Sequence, residues 1–484
     1  MKHLIPSVTR FSNLSRPRCS SFVFTFLLLL SLGTSPTFAQ QTTAPRVATP
    51  SSNLPVPAGR TVKPTVYATP NAATPPATAA DDVVPLPALN APVVVPRQGV
   101  LIETAAGRAV MEQAGDTEFN PASAVKLATA LVALRSLGAK NRFSTALMTN
   151  GIYDSATGTI AGDLIVVGRD PSFRDEHAVE IARELNRIGI SVITGDLIVT
   201  PTFTMNFSAS PLSSGNRFYD TLDATRRPTS AARAWTQARF AAGETQTLAH
   251  VPSVAVMGAV YVSNVPPNSR QLMLHKSSPL VDVLKTMLCY SNNFMAERLG
   301  DMLGGSTGVE NFLIDKLGID PDEARLASTS GLGVNRMTPR GMMKVYRALV
   351  AELASDDLTT ADILPVAGID PGTLKKRYEA TLGRGSIIAK TGTLVRSDGG
   401  TSALVGEALA ANGERLYFVI FNRGGNVWRS RSQQDQIVLD QQLQRGGPRA
   451  IAYMPRSAVA VQLATAPANS GVRPASDEYE PNPQ

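Results

Sequence analysis

Cysteine is nearly absent from this chain. Two occur in 484 residues, Cys19 and Cys289, and the first lies in an N-terminal leader. One remaining thiol rules out an internal disulfide framework, so stability has to come from a core. Histidine is as sparse: His3, His177, His250 and His275 are scattered. No HExxH or CxxC pattern occurs, so neither a metal nor another cofactor is expected. Aromatic residues make up only 6% of the chain and charged residues 18%. No cluster of Lys and Arg interleaved with aromatics is present, which argues against nucleic acid as a partner. The formal charge of +7 overstates the basic excess. Lys2, Arg10, Arg16 and Arg18 sit in the leader without an acid, and the rest carries 42 basic residues against 39 acidic ones.

Long apolar runs are also missing. The run from Phe22 to Leu32 falls short of the roughly 20 residues a membrane-spanning helix needs. Basic residues precede it, and Thr37-Phe38-Ala39 follows with small residues at positions −3 and −1 of a cleavage site. Residues 1–39 therefore read as a secretory signal peptide cut after Ala39. The alternative is a retained anchor. The chain is expected to be exported, to the periplasm or cell envelope. Residues 40–97 are dominated by Pro, Ala, Thr and Val, which predicts a disordered linker. The same is expected of a tail over residues 456–484.

What is present is a folded region from about Gly99. Val100-Leu101-Ile102 and Ala109-Val110-Met111 predict two strands around a turn at Ala105-Ala106-Gly107. Asn120-Pro121 offers a cap and a Pro at the first helical position. The stretch from Leu127 to Leu134 is apolar nearly all round, which predicts a central buried helix. Three further strands are expected at Ser386–Ala389, Ser402–Val405 and Leu416–Phe421. Together with the first two they would form one antiparallel sheet. The chain between is then an excursion, expected over residues 149–264. It contains an echo, Gly162-Asp163-Leu164-Ile165-Val166-Val167 against Gly195-Asp196-Leu197-Ile198-Val199-Thr200. One echo predicts two similar strands rather than a repeat protein.

Three motifs follow one another along this frame: Ser123-Ala124-Val125-Lys126, Ser291-Asn292-Asn293 and Lys390-Thr391-Gly392. Ser123 and Lys126 are three residues apart, so a helical turn projects both from one face. A serine hydroxyl needs a base to become a nucleophile. A helix start and burial both disfavour an ammonium, which favours Lys126 as that base. Ser291-Asn292-Asn293 reads as a polar break between two helices, where Ser291 would relay a proton and Asn293 hold a substrate amide. Ser214-Gly215-Asn216 fits the same pattern but is expected in a Ser/Gly-rich loop. Tyr290-Ser291-Asn292 offers a Y-x-N reading one residue out of register. Lys390 would supply charge for a substrate carboxylate. Gly392 would leave space for a peptide alongside its strand. The N–H groups of Ser123 and Thr393 would make an oxyanion hole.

S-x-x-K, S-x-N and K-T-G in this order are shared by penicillin-binding proteins and class A β-lactamases. The chain resembles the serine D-Ala-D-Ala carboxypeptidases of the peptidase S13 family, of penicillin-binding protein 4 type, over residues 98 to 450. His275-Lys276-Ser277-Ser278-Pro279-Leu280, Ser330-Gly331-Leu332 with Thr338-Pro339-Arg340, and Leu364 to Asp370 with Gly372-Thr373-Leu374 carry the likeness further. So does Gly162-Asp163-Leu164 with Asp170-Pro171-Ser172.

The resemblance implies an α+β, DD-peptidase/serine β-lactamase-like fold: a five-stranded antiparallel sheet flanked by helices, an all-α subregion and an inserted α/β domain. The catalytic domain would span 98–148 and 265–455. By similarity Ser123 would form an acyl-enzyme, Lys126 act as base and Ser291 shuttle a proton. Asn293, Lys390, Thr391, Gly392 and Thr393 would bind substrate. Peptidoglycan stem peptides are the implied partners, with β-lactams as covalent inhibitors. The chain departs from the family in a shorter gap between the first two motifs, which implies a missing second insert. Arg169 and Thr200-Pro201 stand where the family carries a Gly and acidic residues. A β-lactamase or Y-x-N esterase of the same fold, and a non-catalytic wall-binding scaffold, are the rival readings. The E-x-x-L-N pattern of class A β-lactamases does not occur between Asn293 and Lys390.

Overall fold

The computed structural model describes residues 97–244, 250–455 and 464–467. The expected signal peptide and nearly all of the expected linker lie outside the described residues.

The chain enters on β1 (Gln98–Thr104) and β2 (Ala109–Gln113). A 3₁₀ turn (Ala122–Val125) leads into α1 (Lys126–Leu137). Then come β3 (Ser144–Thr149), β4 (Leu164–Gly168), α2 (Asp175–Arg187) and β5 (Leu197–Val199). Two helices, α3 (Pro211–Leu222) and α4 (Thr229–Ala241), precede β6 (Val260–Val262) and β7 (Arg270–Lys276). A run of helices follows: α5 (Leu280–Tyr290), α6 (Asn293–Asp301), α7 (Gly305–Leu317) and α8 (Pro339–Ser355). The last elements are β8 (Ile387–Leu394), β9 (Thr401–Leu409), β10 (Arg415–Arg423), α9 (Val427–Leu443) and β11 (Ala464–Pro467).

The first sheet is antiparallel throughout, in the order β8-β9-β10-β1-β2. This is the five-stranded sheet expected from two early and three late strands. Its centre is buried on both faces, which explains the unbroken apolar run of β10. Leu416, Phe418 and Ile420 join one core layer with Val438 of α9. Tyr417, Val419 and Phe421 join the other, with α1, α5, α6 and α8. Residues Lys126 to Leu134 of α1 are all buried, so this helix is the hub of the all-α region.

The second sheet runs β6-β5-β4-β3-β7-β11. The two copies of the sequence echo lie side by side as parallel strands, Leu164 opposite Leu197 and Val166 opposite Val199. α2 connects them, a βαβ crossover. The turn before each copy is the same device. Asp163 Oδ1 accepts from the Asp196 N–H at 2.8 Å, and Asp196 Oδ1 from the Ala259 N–H at 2.8 Å. This sheet takes in β3 ahead of residue 149 and β7 beyond residue 264.

Two expectations need correction. Ser214-Gly215-Asn216 is not in a loop but in α3, which starts because Ser210 caps it and Pro211 opens it. The tail expected to be disordered contains β11, which pairs antiparallel with β7. An open sheet edge offers backbone partners to any extended segment, and composition does not reveal that. Among the described residues no helix is long and apolar enough to cross a membrane.

Candidate active site

Ser123 stands on the 3₁₀ turn ahead of α1 rather than in the helix itself. Asn120 Oδ1 accepts the N–H of Ala122 at 3.0 Å. Ala122 has φ of 47°, a left-handed conformation that costs a residue with a Cβ. Two neighbours press on this turn. A Cβ on Gly331 would come 2.0 Å from the Ala122 carbonyl oxygen, and one on Gly392 would come 2.6 Å from that of Pro121. Gly392 therefore admits the serine turn against β8, where the sequence had suggested space for a peptide.

Lys126 is fully buried one turn beyond Ser123. Its Nζ donates to Ser123 Oγ at 3.1 Å, to Asn293 Oδ1 at 2.7 Å and to the Ser330 carbonyl at 2.5 Å. Burial lowers its pKa from 10.5 to about 7, against the charge of Glu297, which works the other way. Glu297 lies one turn after Asn293 on α6. It accepts from the Ser330 N–H at 3.1 Å and from Thr329 Oγ1 at 2.8 Å. Burial pushes its carboxyl up, but these donated bonds outweigh it and the carboxyl ends below its ordinary value.

The second motif sits where α5 stops and α6 begins. Ser291 ends α5 with φ of 55°. Asn292 caps α6, its side chain accepting from the Met295 N–H at 3.0 Å. Asn293 is the first helical residue and turns inward to Lys126. The Y-x-N register is disfavoured by this arrangement, since Asn292 is used as a cap and Tyr290 is 52% exposed. Ser214 lies elsewhere, with its hydroxyl on the Met205 N–H and the Ser210 carbonyl.

The third motif occupies β8, an edge strand. Lys390 is fully buried, and its Nζ donates to Ser291 Oγ at 2.9 Å and to the Thr391 carbonyl at 2.6 Å. Burial, then the nearby Lys126 charge, lowers its pKa well below the ordinary lysine value. Thr391 and Thr393 share the opposite face of the strand from Lys390. Thr393 Oγ1 donates to the Gly392 carbonyl at 2.7 Å and accepts from Arg431 Nη2 at 2.7 Å. Buried Lys126 thus ties Ser123 to Asn293, and buried Lys390 holds Ser291, with the two serines and Asn293 themselves half-buried. Gly392 packs against the serine turn.

Sequence reasoning passed over Glu297, Thr329 and Arg431. The spacing of Glu297 four residues beyond Asn293 was the signal for it, since that puts both on one helix face. The segment from Leu364 to Leu374 turns out to brace α5. Lys285 donates to Asp370 Oδ2 at 2.7 Å and to the carbonyls of Ala361 and Leu364 at 2.8 and 2.7 Å. The Thr373 N–H donates to the carbonyl of Cys289, two residues before Ser291, at 3.0 Å. Burial pushes the Cys289 thiol up to about 12, so it is an inert packing group.

Comparison with known proteins follows the same line. The D-alanyl-D-alanine carboxypeptidase DacB of Haemophilus influenzae is 26% identical over 401 residues, covering 64% of this chain and 81% of that one. A D-alanyl-D-alanine carboxypeptidase of an Actinomadura strain is 27% identical over 445 residues, covering 70% and 80%. A predatory endopeptidase of Bdellovibrio bacteriovorus shares the fold, with a TM-score of 0.64 at 23% identity over 75% of this chain and 96% of that one. The profile of one peptidase family matches residues 88–211 and 221–444, which takes in the first sheet, all of the second but β11, and all three motifs. On that match the chain belongs to the D-Ala-D-Ala carboxypeptidase 3 (S13) family of serine hydrolases.

Proposed function

We propose that this chain is an exported D-alanyl-D-alanine carboxypeptidase and/or DD-endopeptidase that works on peptidoglycan stem peptides through an acyl-enzyme on Ser123. The contact between Lys126 Nζ and Ser123 Oγ carries the reading, because a lysine with a pKa near 7 is substantially neutral at neutral pH. Lys126 takes the hydroxyl proton as Ser123 Oγ attacks the carbonyl of the penultimate D-Ala. The N–H groups of Ser123 and Thr393 receive the oxyanion. Ser291 passes a proton to the departing amine, and the C–N bond breaks. Water then adds to the ester carbonyl and releases the shortened peptide and Ser123. Asn293 holds the substrate amide, and the stem peptide lies along β8 beyond Ala389, past the stretch that pairs with Val366. A β-lactam acylates Ser123 by the same route, its amide bond opening in place of a peptide bond. The predatory endopeptidase of Bdellovibrio bacteriovorus that shares this fold has itself been solved in a penicillin G acylated form.

Residues 149–264 are read as an inserted domain, and residues 1–39 as the export signal. Incubating the mature protein with a pentapeptide stem and with a D-Ala-to-diamino-acid cross-linked dimer tests the reading. Free D-alanine from the first, or monomers from the second, is expected, and both must vanish in Ser123→Ala. An active Ser123→Ala protein would contradict it.

A further inference from the structure

The substrate proposed above carries a carboxylate on its leaving residue, and so does the leaving side of a penicillin. None of the motif lysines presents a cation to it. Lys126 is fully buried and bound to Ser123, Asn293 and the Ser330 carbonyl. Lys390 is fully buried too, with Nζ on Ser291 and the Thr391 carbonyl. The role first expected of Lys390, meeting a substrate carboxylate directly, is not one its position suits.

Arg431 is placed for that role. It lies near the start of α9 and reaches across to β8, where Nη2 meets Thr393 Oγ1 at 2.7 Å. Thr393 directly follows Gly392, the residue packed on the serine turn. With the scissile carbonyl held by the N–H groups of Ser123 and Thr393, as proposed above, the leaving residue would be the next one along from the Thr393 position. The guanidinium is half-buried and lies over the ring of Trp428, 4.5 Å from the centroid. Trp428 itself is 69% exposed, so the pair borders solvent. The nearest acid along the helix, Asp435, is taken by Arg377 at 2.6 Å. Among the described residues no carboxylate lies within ion-pair distance of Arg431. Arg377 also donates to the Arg431 carbonyl at 2.9 Å and to Gln434 Oε1 at 2.9 Å, which fixes this turn of α9. Burial, then the charge of Arg377, disfavours the cation, with Asp435 opposing them, and an arriving anion would offset the repulsion from Arg377.

We infer that Arg431 binds the carboxylate of the substrate's leaving residue beside the Thr393 hydroxyl, and so sets the preference for substrates with a free carboxylate at that position. This rests on the DD-peptidase reading. A guanidinium suits the task because its planar fork matches a carboxylate.

The test uses two acyl thioesters of one peptide, one with a thioglycolate leaving group and one with its methyl ester. Wild type, Arg431→Gln and Arg431→Lys are compared by thiol release. For Arg431→Gln, kcat/KM on the carboxylate substrate is expected to fall about 10- to 100-fold, mainly through KM, with the methyl ester within about twofold of wild type. Arg431→Lys is expected to recover part of the loss. Full labelling of each variant by excess penicillin shows that it is folded. An equal loss on both substrates, or no loss on either, overturns the assignment of Arg431. Wild type that cleaves neither thioester and takes no label overturns the underlying peptidase reading instead.

Discussion

Two buried lysines meet two different half-buried serines: Lys126 Nζ lies 3.1 Å from Ser123 Oγ, and Lys390 Nζ lies 2.9 Å from Ser291 Oγ. Each serine therefore has an amine at hydrogen-bond distance. Both amines are buried, and burial lowers the pKa of both. On the proposed mechanism this arrangement would supply a base at Ser123 and a relay toward the leaving group.

Acylation should follow the neutral fraction of Lys126. Its rate constant with a chromogenic β-lactam is expected to rise with pH through about 7 and then level off. Lys126→Ala should lower that rate by about 10²- to 10⁴-fold, the scale of a lost general base. A flat profile from pH 5 to 9 in wild type would count against Lys126 as the base.

Glu297 should tune that profile. Its negative charge holds the Lys126 ammonium up, so Glu297→Gln is expected to move the rising limb to lower pH. Stopped-flow acylation across the same range measures this, and a shift to higher pH would mean the coupling has the opposite sign.

Stability should also depend on Lys126. Its folded pKa is depressed, so the unfolded chain binds the extra proton between about 7 and 10.5. Unfolding then becomes harder as pH rises through that window, at most about 1.4 kcal/mol per pH unit for this group. Urea titrations of wild type and Lys126→Met should show a shallower pH slope in the variant. Identical slopes would exclude the effect.

Asp370→Ala should destabilise the fold by about 3–5 kcal/mol, because it strands the Lys285 ammonium in the core. Acylation is expected to slow as well, since the same segment braces the end of α5 that carries Ser291. Denaturant unfolding and penicillin labelling read the two effects separately. A change below about 1 kcal/mol would show that the pair is not needed.

Much of this fold is legible because burial leaves marks on composition. The all-round apolar stretch of α1 and the double-faced run of β10 could only be interior. The echo at Gly162 and Gly195 marked two strands that pair in register. Other features arise only in three dimensions. Asn292 and Asn293 are alike as letters, yet one caps α6 and the other faces Lys126, and only the helix start separates them. The closeness of Gly392 to Pro121 joins residues far apart in sequence, so this need for glycine there was not legible. Arg431 lay outside every motif, because α9 brings it to Thr393 from the far side of the strand. A Ser/Gly-rich stretch also hid α3, whose start depends on a single cap and proline.

The most direct test of the central claim is the intact mass and peptide map of the mature protein after brief exposure to penicillin at pH 6 and pH 8. One adduct on the peptide containing Ser123, forming faster at pH 8 and absent from Ser123→Ala, is the predicted result. An adduct on another residue, or one that persists in Ser123→Ala, would contradict the account.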